Sequence, residues 1–356
     1  MDCSRLPNSD MKTEQTEMEP RHTDEKGLMS IAVNDGRAMG QRMGGLLILL
    51  VLAGLWGGCL SDDDGKQVME IPLIEAPEWV VGQWWLYTIV TPDFPDEAVR
   101  LVVADDQTEN ATAYMLTTAE IAQARRHAVL NHNPFLGRIL KDNLSTFENG
   151  VAQSFLSFPI VEGAAWEFTL FSTQWNATAS SVDSASKIAE IEARAADGAT
   201  LLYRYDVEVG WFRTLTWTDA GGIEQVKMSF ADGGLNHTGE VYFIRAGDLY
   251  SGEWDGPDIE IRETLLTGDH PRDGEWDDMI YFLDATCQGG TITFALRDNS
   301  ALSGAEESWG PGESEHGTIG VIPSPSDEYL LTLSMTGSSH FRLLIAGAVL
   351  ETYSLT

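Results

Sequence analysis

Two identical tetrapeptides, Gly252-Glu-Trp-Asp255 and Gly274-Glu-Trp-Asp277, lie 22 residues apart, and Asp258, Glu260, Asp269, Asp273 and Asp278 surround them. Calcium takes roughly six to eight oxygen ligands, and carboxylates crowded on loops between strands can supply them. Asp255, Asp258, Asp277 and Asp278 are the candidate ligands on that reading. The spacing is not that of an EF-hand, and an acid-rich chain produces such clusters on any solvated surface. The simpler expectation is a solvated face with no cofactor, with calcium as the alternative.

Other chemistry is sparser. His127 and His132 are the closest histidine pair. A spacing of five sets them about 140° apart around a helix, so they do not share a face. The zinc-protease pattern needs a spacing of four with an intervening Glu. Both histidines are therefore expected to be polar surface side chains. The sequence holds no Gly-x-Ser-x-Gly elbow and no Walker-type phosphate loop, so neither of those reaction classes is indicated. Cys287 follows the apolar stretch 279–283 and reads as a small buried side chain rather than a nucleophile. The glycine-rich stretches 219–222 and 231–234 read as hairpin turns. Trp84 and Trp85 are adjacent and point to opposite faces of a strand. One belongs to a core; the other is a candidate for a ligand face, either a platform for sugars or the wall of an apolar cavity.

The formal net charge is −33, and after residue 60 the only lysines are Lys66, Lys141, Lys187 and Lys227. Such a surface repels phosphates, which excludes nucleic acid as a partner. Trp, Tyr, Phe, Val and Ile run throughout, so the chain is not a disordered acidic tail. With Cys59 accounted for below, Cys287 stands alone beyond the leader, and no disulfide framework is available. Stability has to come from hydrophobic cores.

The apolar run 46–56 ends in Gly57-Gly58-Cys59 and passes at once into Leu60-Ser-Asp-Asp-Asp-Gly65. It is shorter than the ~20 residues of a membrane-spanning helix and fits the ~7–15 of a secretory signal. Arg37 and Arg42 give the positive flank. The stretch resembles the signal peptide of an archaeal-type exported lipoprotein, although Trp56 stands where that family usually has Leu, Val or Ile. The resemblance implies that Cys59 is lipidated and becomes the mature N-terminus. It also implies an extracytoplasmic protein anchored by that lipid to the outer face of the cell membrane. An ordinary signal cleaved elsewhere, or a short uncleaved anchor, is the alternative. Residues 1–36 are expected to be a disordered extension or a start placed too early, 37–58 the signal, and 59–77 an acidic tether. Asn110, Asn143, Asn176 and Asn236 begin Asn-x-Ser/Thr sequons and are glycosylation candidates.

The remainder is expected to be mainly β: an N-terminal antiparallel curved sheet or half-barrel over 78–246 with one helix, then a C-terminal β-sandwich over 247–356. Thr117 and Glu120 have capping-box spacing, which predicts a helix over about 117–130. Strands are predicted at 79–90, 99–104, 112–117, 154–158, 165–171, 186–196, 200–207, 211–218, 223–230 and 241–244. The segment 246–252 reads as a linker. Seven shorter strands follow at 259–265, 279–285, 291–297, 318–322, 329–335, 341–345 and 349–353. The segments 81–87, 158–166 and 210–212 resemble curved-sheet lipoprotein domains, including the half-barrel type that carries lipids or lipoproteins. The pair 328–335 and 339–345 is similar to the last hairpin of small jelly-roll modules. These resemblances imply binding rather than catalysis. The expected function is a lipid-anchored surface protein that binds an apolar or glycan ligand. A structural or adhesion role against an envelope protein is the alternative, and a secreted hydrolase ranks third.

Overall fold

The computed structural model describes residues 73–94, 97–268, 274–298, 300 and 304–356. The signal region, Cys59, Asp269 and Asp273 lie outside the described residues. So does the tether up to residue 72. The described chain starts with β1 (Leu73–Ile74), β2 (Trp84–Val90), β3 (Glu97–Gln107) and β4 (Ala113–Thr118), then a helix, Ile121–Leu130. A small insertion follows: β5 (Gly137–Leu140), β6 (Thr146–Glu148), β7 (Val151–Gln153) and β8 (Ile160–Val161). A meander runs through β9 (Ala165–Leu170), β10 (Thr173–Asp183), β11 (Ile188–Arg194), β12 (Thr200–Asp206), β13 (Trp211–Thr218) and β14 (Glu224–Gly234). The remainder is β15 (Gly239–Asp255), β16 (Ile259–Leu266), β17 (Asp278–Cys287), β18 (Thr291–Asp298), β19 (Gly304–Trp309), β20 (Ser314–Pro323), β21 (Glu328–Thr336) and β22 (Ser339–Leu355).

The protein is mainly β. One large sheet has the order β20-β17-β22-β15-β4-β3-β2-β14-β13-β12-β11-β10-β9, with β5 paired to β4. A second sheet, β16-β21-β18-β19, faces its C-terminal end. In the meander one face is buried and the other solvated, as antiparallel sheets allow. Along β2 the residues Trp85, Tyr87 and Ile89 are buried, and along β12 Leu201, Tyr203 and Tyr205. Phe135, Phe155, Leu156 and Ile160 from the insertion join the same core and fill that face. Buried aromatic donors find backbone acceptors: Trp79 Nε1 donates to Gly210 O at 3.0 Å, Trp85 Nε1 to Val209 O at 2.7 Å, and the Tyr203 hydroxyl to Phe155 O.

The C-terminal sandwich packs β17, β20 and β22 against β18, β19 and β21. Leu283, Cys287, Phe341 and Leu343 meet Ile292, Phe294, Trp309 and Leu333 in one core. Cys287 is a free, buried thiol there, as its apolar context predicts. The expected terminal hairpin is corrected. β21 pairs with β16 and β18, whereas β22 pairs with β15 and β17 in the opposite sheet. The chain crosses between sheets at Gly337, φ 72°, beside the 288–290 connection, where Gln288 N donates to Ser338 O at 2.9 Å.

Several boundaries also differ from expectation. The capping box is not formed: Thr117 and Thr118 end β4, and Thr117 Oγ1 donates to Val102 O at 2.9 Å. Glu120 takes the cap position with extended dihedrals and makes no side-chain cap bond. The predicted linker 246–252 is the middle of β15, and 341–345 and 349–353 are parts of β22. The 231–234 glycines belong to β14, where Gly233 and Gly234 pair with Trp85 and Trp84. A Cβ at Gly234 would lie 3.1 Å from the Trp84 ring, so its bareness makes room for that ring rather than a turn. Residues 154–158 send Phe155 and Leu156 into the core instead of forming a strand, β5 to β8, β10 and β19 lie outside the predicted strands, and Leu73–Ile74 in the expected tether pair with β8. The hairpin over β13 and β14 is as predicted, its turn held by Asp219 Oδ1 accepting from Gly221 and Ile223 at 2.9 Å.

The crossing depends on a bare Cα at Gly337. A Cβ at Gly337 would sit 1.9 Å from Gly289 O, and the backbone there is left-handed. Gly337→Ala is expected to cost about 3 kcal/mol or more, read as a lowered denaturant midpoint. Wild-type stability in that variant would contradict the crossing.

Candidate functional site

The helix Ile121–Leu130 sets the geometry of the site. Ala124, Ala128 and Val129 pack on Ile244 of β15, Ile280 and Phe282 of β17, and Ala346 and Ala348 of β22. Small side chains on both surfaces permit this close contact. The helix belongs to the N-terminal part of the chain but lies on strands of the C-terminal part. Ion pairs Arg125–Asp278, at 3.6 Å, and Arg126–Glu97 flank it. It ends at Asn131, which adopts left-handed dihedrals (φ 48°, ψ 35°) and donates its N–H to His127 O at 2.8 Å.

That ending brings His127 and His132 together, contrary to the expectation of separate surface side chains. The chain reverses at Asn131, so helical angles do not apply to residue 132. The two rings meet edge to face with centroids 6.1 Å apart. His132 is buried, and the Nδ1 atoms of both are buried without partners. Burial, reinforced by the neighbouring His132, lowers the pKa of His127 to about 3. Burial, reinforced by Arg126, lowers that of His132 to about 4. Both rings are neutral at pH 7.

His127 lines a cleft of about 760 Å³ bounded by the helix end, the β5–β7 insertion, the β9–β10 turn and the first part of β15. This lies within the usual ~300–1,000 Å³ of small-molecule sites. Gly137, φ 99°, admits Phe243: a Cβ there would be 3.0 Å from its ring. Phe147 and Phe171 add further aromatic faces, with Arg138 lying over Phe147 at 4.1 Å and Phe171 stacked on Trp217 at 4.4 Å. Arg138 pairs with Glu109, and Arg245 with Glu351 at 2.7 Å. Glu148 is the distinctive group. Its Oε1 accepts the Ser172 backbone N–H at 2.5 Å, and its Oε2 is buried with no partner. An ionisable oxygen fixed on one side and unused on the other is suited to recognising a donor.

The residues singled out in the sequence are dispersed. Trp85 is core, while Trp84 packs on the other face with Arg100 over its ring at 4.5 Å. Of the calcium candidates, Asp278 pairs with Arg125 and Asp277 Oδ2 accepts Leu350 N–H at 3.0 Å. Asp258 is exposed on the turn after β15. Asp255 alone joins a group, with Glu253 and His340; His340 Nδ1 lies 2.9 Å from Asp255 Oδ1. That exposed group offers two carboxylates and an imidazole, fewer oxygens than calcium takes. The repeated tetrapeptides therefore do different things, and Trp276 of the second packs over Gly247 and Gly347, where a Cβ would be 2.8 Å and 2.4 Å away. One Ser-x-x-Lys spacing, Ser184 to Lys187, falls in an exposed hairpin turn organised by Asp183. Asn110, Asn176 and Asn236 are exposed; Asn143 is half-buried, its Oδ1 accepting Ser145 N–H at 3.0 Å. The cleft residues His127, Arg138, Glu148 and Phe243 share no motif, and only the pairing of the histidines could have pointed there.

No family description and no curated protein matches the chain. Among solved structures it is similar to an exo-β-1,3-galactanase from Phanerochaete chrysosporium, at 7% identity over 70% of this chain and 78% of that one, TM-score 0.16. A glycoside hydrolase family 32 β-fructofuranosidase from Bombyx mori gives 10% identity over 80% and 93%, TM-score 0.17. A family 43 arabinoxylan arabinofuranohydrolase from Bacillus subtilis gives 9% over 72% and 63%, TM-score 0.13. Scores this low carry no information about what this chain does.

The histidine pair makes acid stability a measurable property. An unfolded imidazole takes up its proton near pH 6.5, whereas the folded rings wait until about pH 4 and about pH 3. The unfolded state thus binds more protons in this window. Stability is full above about pH 6.5 and falls below it, by up to about 1.4 kcal/mol per pH unit for each histidine. Denaturant titrations should show a shallower acid slope in the His127→Gln/His132→Gln double variant. An unchanged slope would mean the rings are not buried neutral.

Proposed function

We propose that the protein is an extracytoplasmic, lipid-anchored binding protein whose cleft holds a hydroxylated ligand of glycan type. The observation that carries this reading is Glu148, anchored through one oxygen and unpartnered at the other, in a cleft that His127 also lines. Sugar hydroxyls are donors and acceptors at once and can meet a carboxylate. Phe147, Phe171 and Phe243 offer faces for the C–H side of a pyranose. An apolar ligand on the buried face of the meander has less support, because Trp85, Phe135, Phe155, Trp211 and Phe212 already fill it.

Binding is favoured over turnover on chemical grounds. A histidine with its pKa lowered to about 3 is a weak general base at neutral pH. Glu109 and Glu351 are held in ion pairs with arginines, which suits a fixed recognition surface. The aromatic filling of the meander favours a second reading, a rigid scaffold of the envelope that docks on a partner protein.

Isothermal titration with a panel of mono- and oligosaccharides tests the first reading. At least one sugar is expected to bind, and Glu148→Ala should abolish its binding while leaving the unfolding midpoint within about 1 kcal/mol of wild type. A full panel without heat would leave the scaffold reading. The anchor is tested separately by labelling cells with a lipid precursor: wild type should carry label and stay in the membrane fraction, and Cys59→Ser should do neither. Equal membrane retention with no label on either protein would remove the anchor.

A further inference from the structure

The charge balance of the cleft carries the reading one step further. Four carboxylates line it, Glu109, Glu148, Asp248 and Glu351, against two guanidinium groups, Arg138 and Arg245. Glu109 and Glu351 are the partners of those arginines. Among the described residues, Glu148 and Asp248 have no cationic partner. The remaining lining is aromatic or neutral, and His127 stays uncharged because burial lowers its pKa to about 3. Nothing in the cleft therefore repels a positive charge except arginines that are already compensated.

We infer that the ligand of this cleft carries a protonated amine beside its hydroxyls, as an amino sugar does, with the ammonium seated against the Glu148 carboxylate. This rests on the glycan reading of the same cleft and narrows it. A carboxylate oxygen forms its strongest hydrogen bond with a charged donor, roughly twice that with a neutral one. The aromatic lining adds to this, since ring faces attract cations. Phe147 already receives one, the Arg138 guanidinium at 4.1 Å. The formal charge of −33 on the whole chain also concentrates small cations near its surface. A neutral sugar would satisfy the donor requirement of Glu148 but leave its charge, and that of Asp248, uncompensated. The Ser172 amide fixes the carboxylate plane in advance, so little ordering is needed when the ligand arrives.

The test is calorimetric titration of the full-length protein at low salt and about pH 6.5, where a sugar amine is protonated. Glucosamine, N-acetylglucosamine and glucose are compared, since the second keeps the nitrogen without its charge and the third replaces it with a hydroxyl of similar size. Glucosamine is expected to bind about tenfold tighter than either neutral sugar, and added salt should narrow the difference. Glu148→Gln should remove the preference for glucosamine over the two neutral sugars, because the amide oxygen keeps the Ser172 N–H while an uncharged NH2 replaces the second carboxylate oxygen. Asp248→Asn, at an exposed position, should weaken glucosamine by a smaller factor; this variant keeps the inference testable if Glu148→Gln does not fold. Equal affinity for the three sugars would overturn the amine inference and leave the glycan reading standing. Binding of none would overturn both.

Discussion

The antiparallel ladder between β15 and β22 is the constraint on which the other parts of the molecule depend. It runs from Gly239 opposite Leu355 to Asp255 opposite His340, with a single irregularity between Asp248 and Tyr250. Two 17-residue strands paired over their whole length are stiff, and both parts of the chain attach to them. The N-terminal part of the sheet joins through β4 at one register pair, Tyr242 with Thr118. The sandwich joins through β17, paired with β22 from Asp278 opposite Ala348 to Cys287 opposite Ser339. One face of the ladder contributes Phe341, Leu343 and Ile345 to the sandwich core, and the other receives the helix on Ala346 and Ala348. The cleft borrows its wall, Phe243 to Asp248, from this ladder, and the insertion supplies Glu148 and Phe147 opposite it.

This dependence explains what could be read from the sequence. Alternation of large apolar side chains on β2, β12 and β21 announces strands without ambiguity, and the Asp219 turn announces the hairpin after β13. The mainly β class follows from such segments. β15 was legible only at 241–244, because its later half, Ala-Gly-Asp-Leu-Tyr-Ser-Gly, has the composition of a loop. The glycines there answer to packing: Gly247 and Gly347 leave space for Trp276. Composition alone cannot separate a glycine that permits a turn from one that permits a neighbouring ring. β10, with Trp175 opposed by Ala177 and Ala179 on its buried face, is too poor in large apolar residues to stand out.

The cleft was illegible for a related reason. His127 and His132 become neighbours through the left-handed Asn131, a single-residue event that overrides helical spacing. Glu148 gains its character from Ser172, 24 residues away, and from burial that no local pattern records. The acidic tetrapeptides drew attention because they repeat, yet one Trp packs on a glycine pair and the other on Phe341. In a chain this acidic the informative carboxylate is the one with an oxygen closed off from solvent and no cation beside it, since solvent screens the rest.

The cleft on the β15 ladder, and no other surface, is the proposed seat of the ligand. Backbone amide shift mapping on the isotopically labelled protein during a glucosamine titration tests it most directly. The largest shifts are expected on Ser172, whose N–H bonds Glu148, and on Asn149, Gly137, Phe243 and Asp248 around the cleft. Shifts concentrated instead on the outer face of β16, β18, β19 and β21, around Thr293, Arg297 and Ser334, would contradict it.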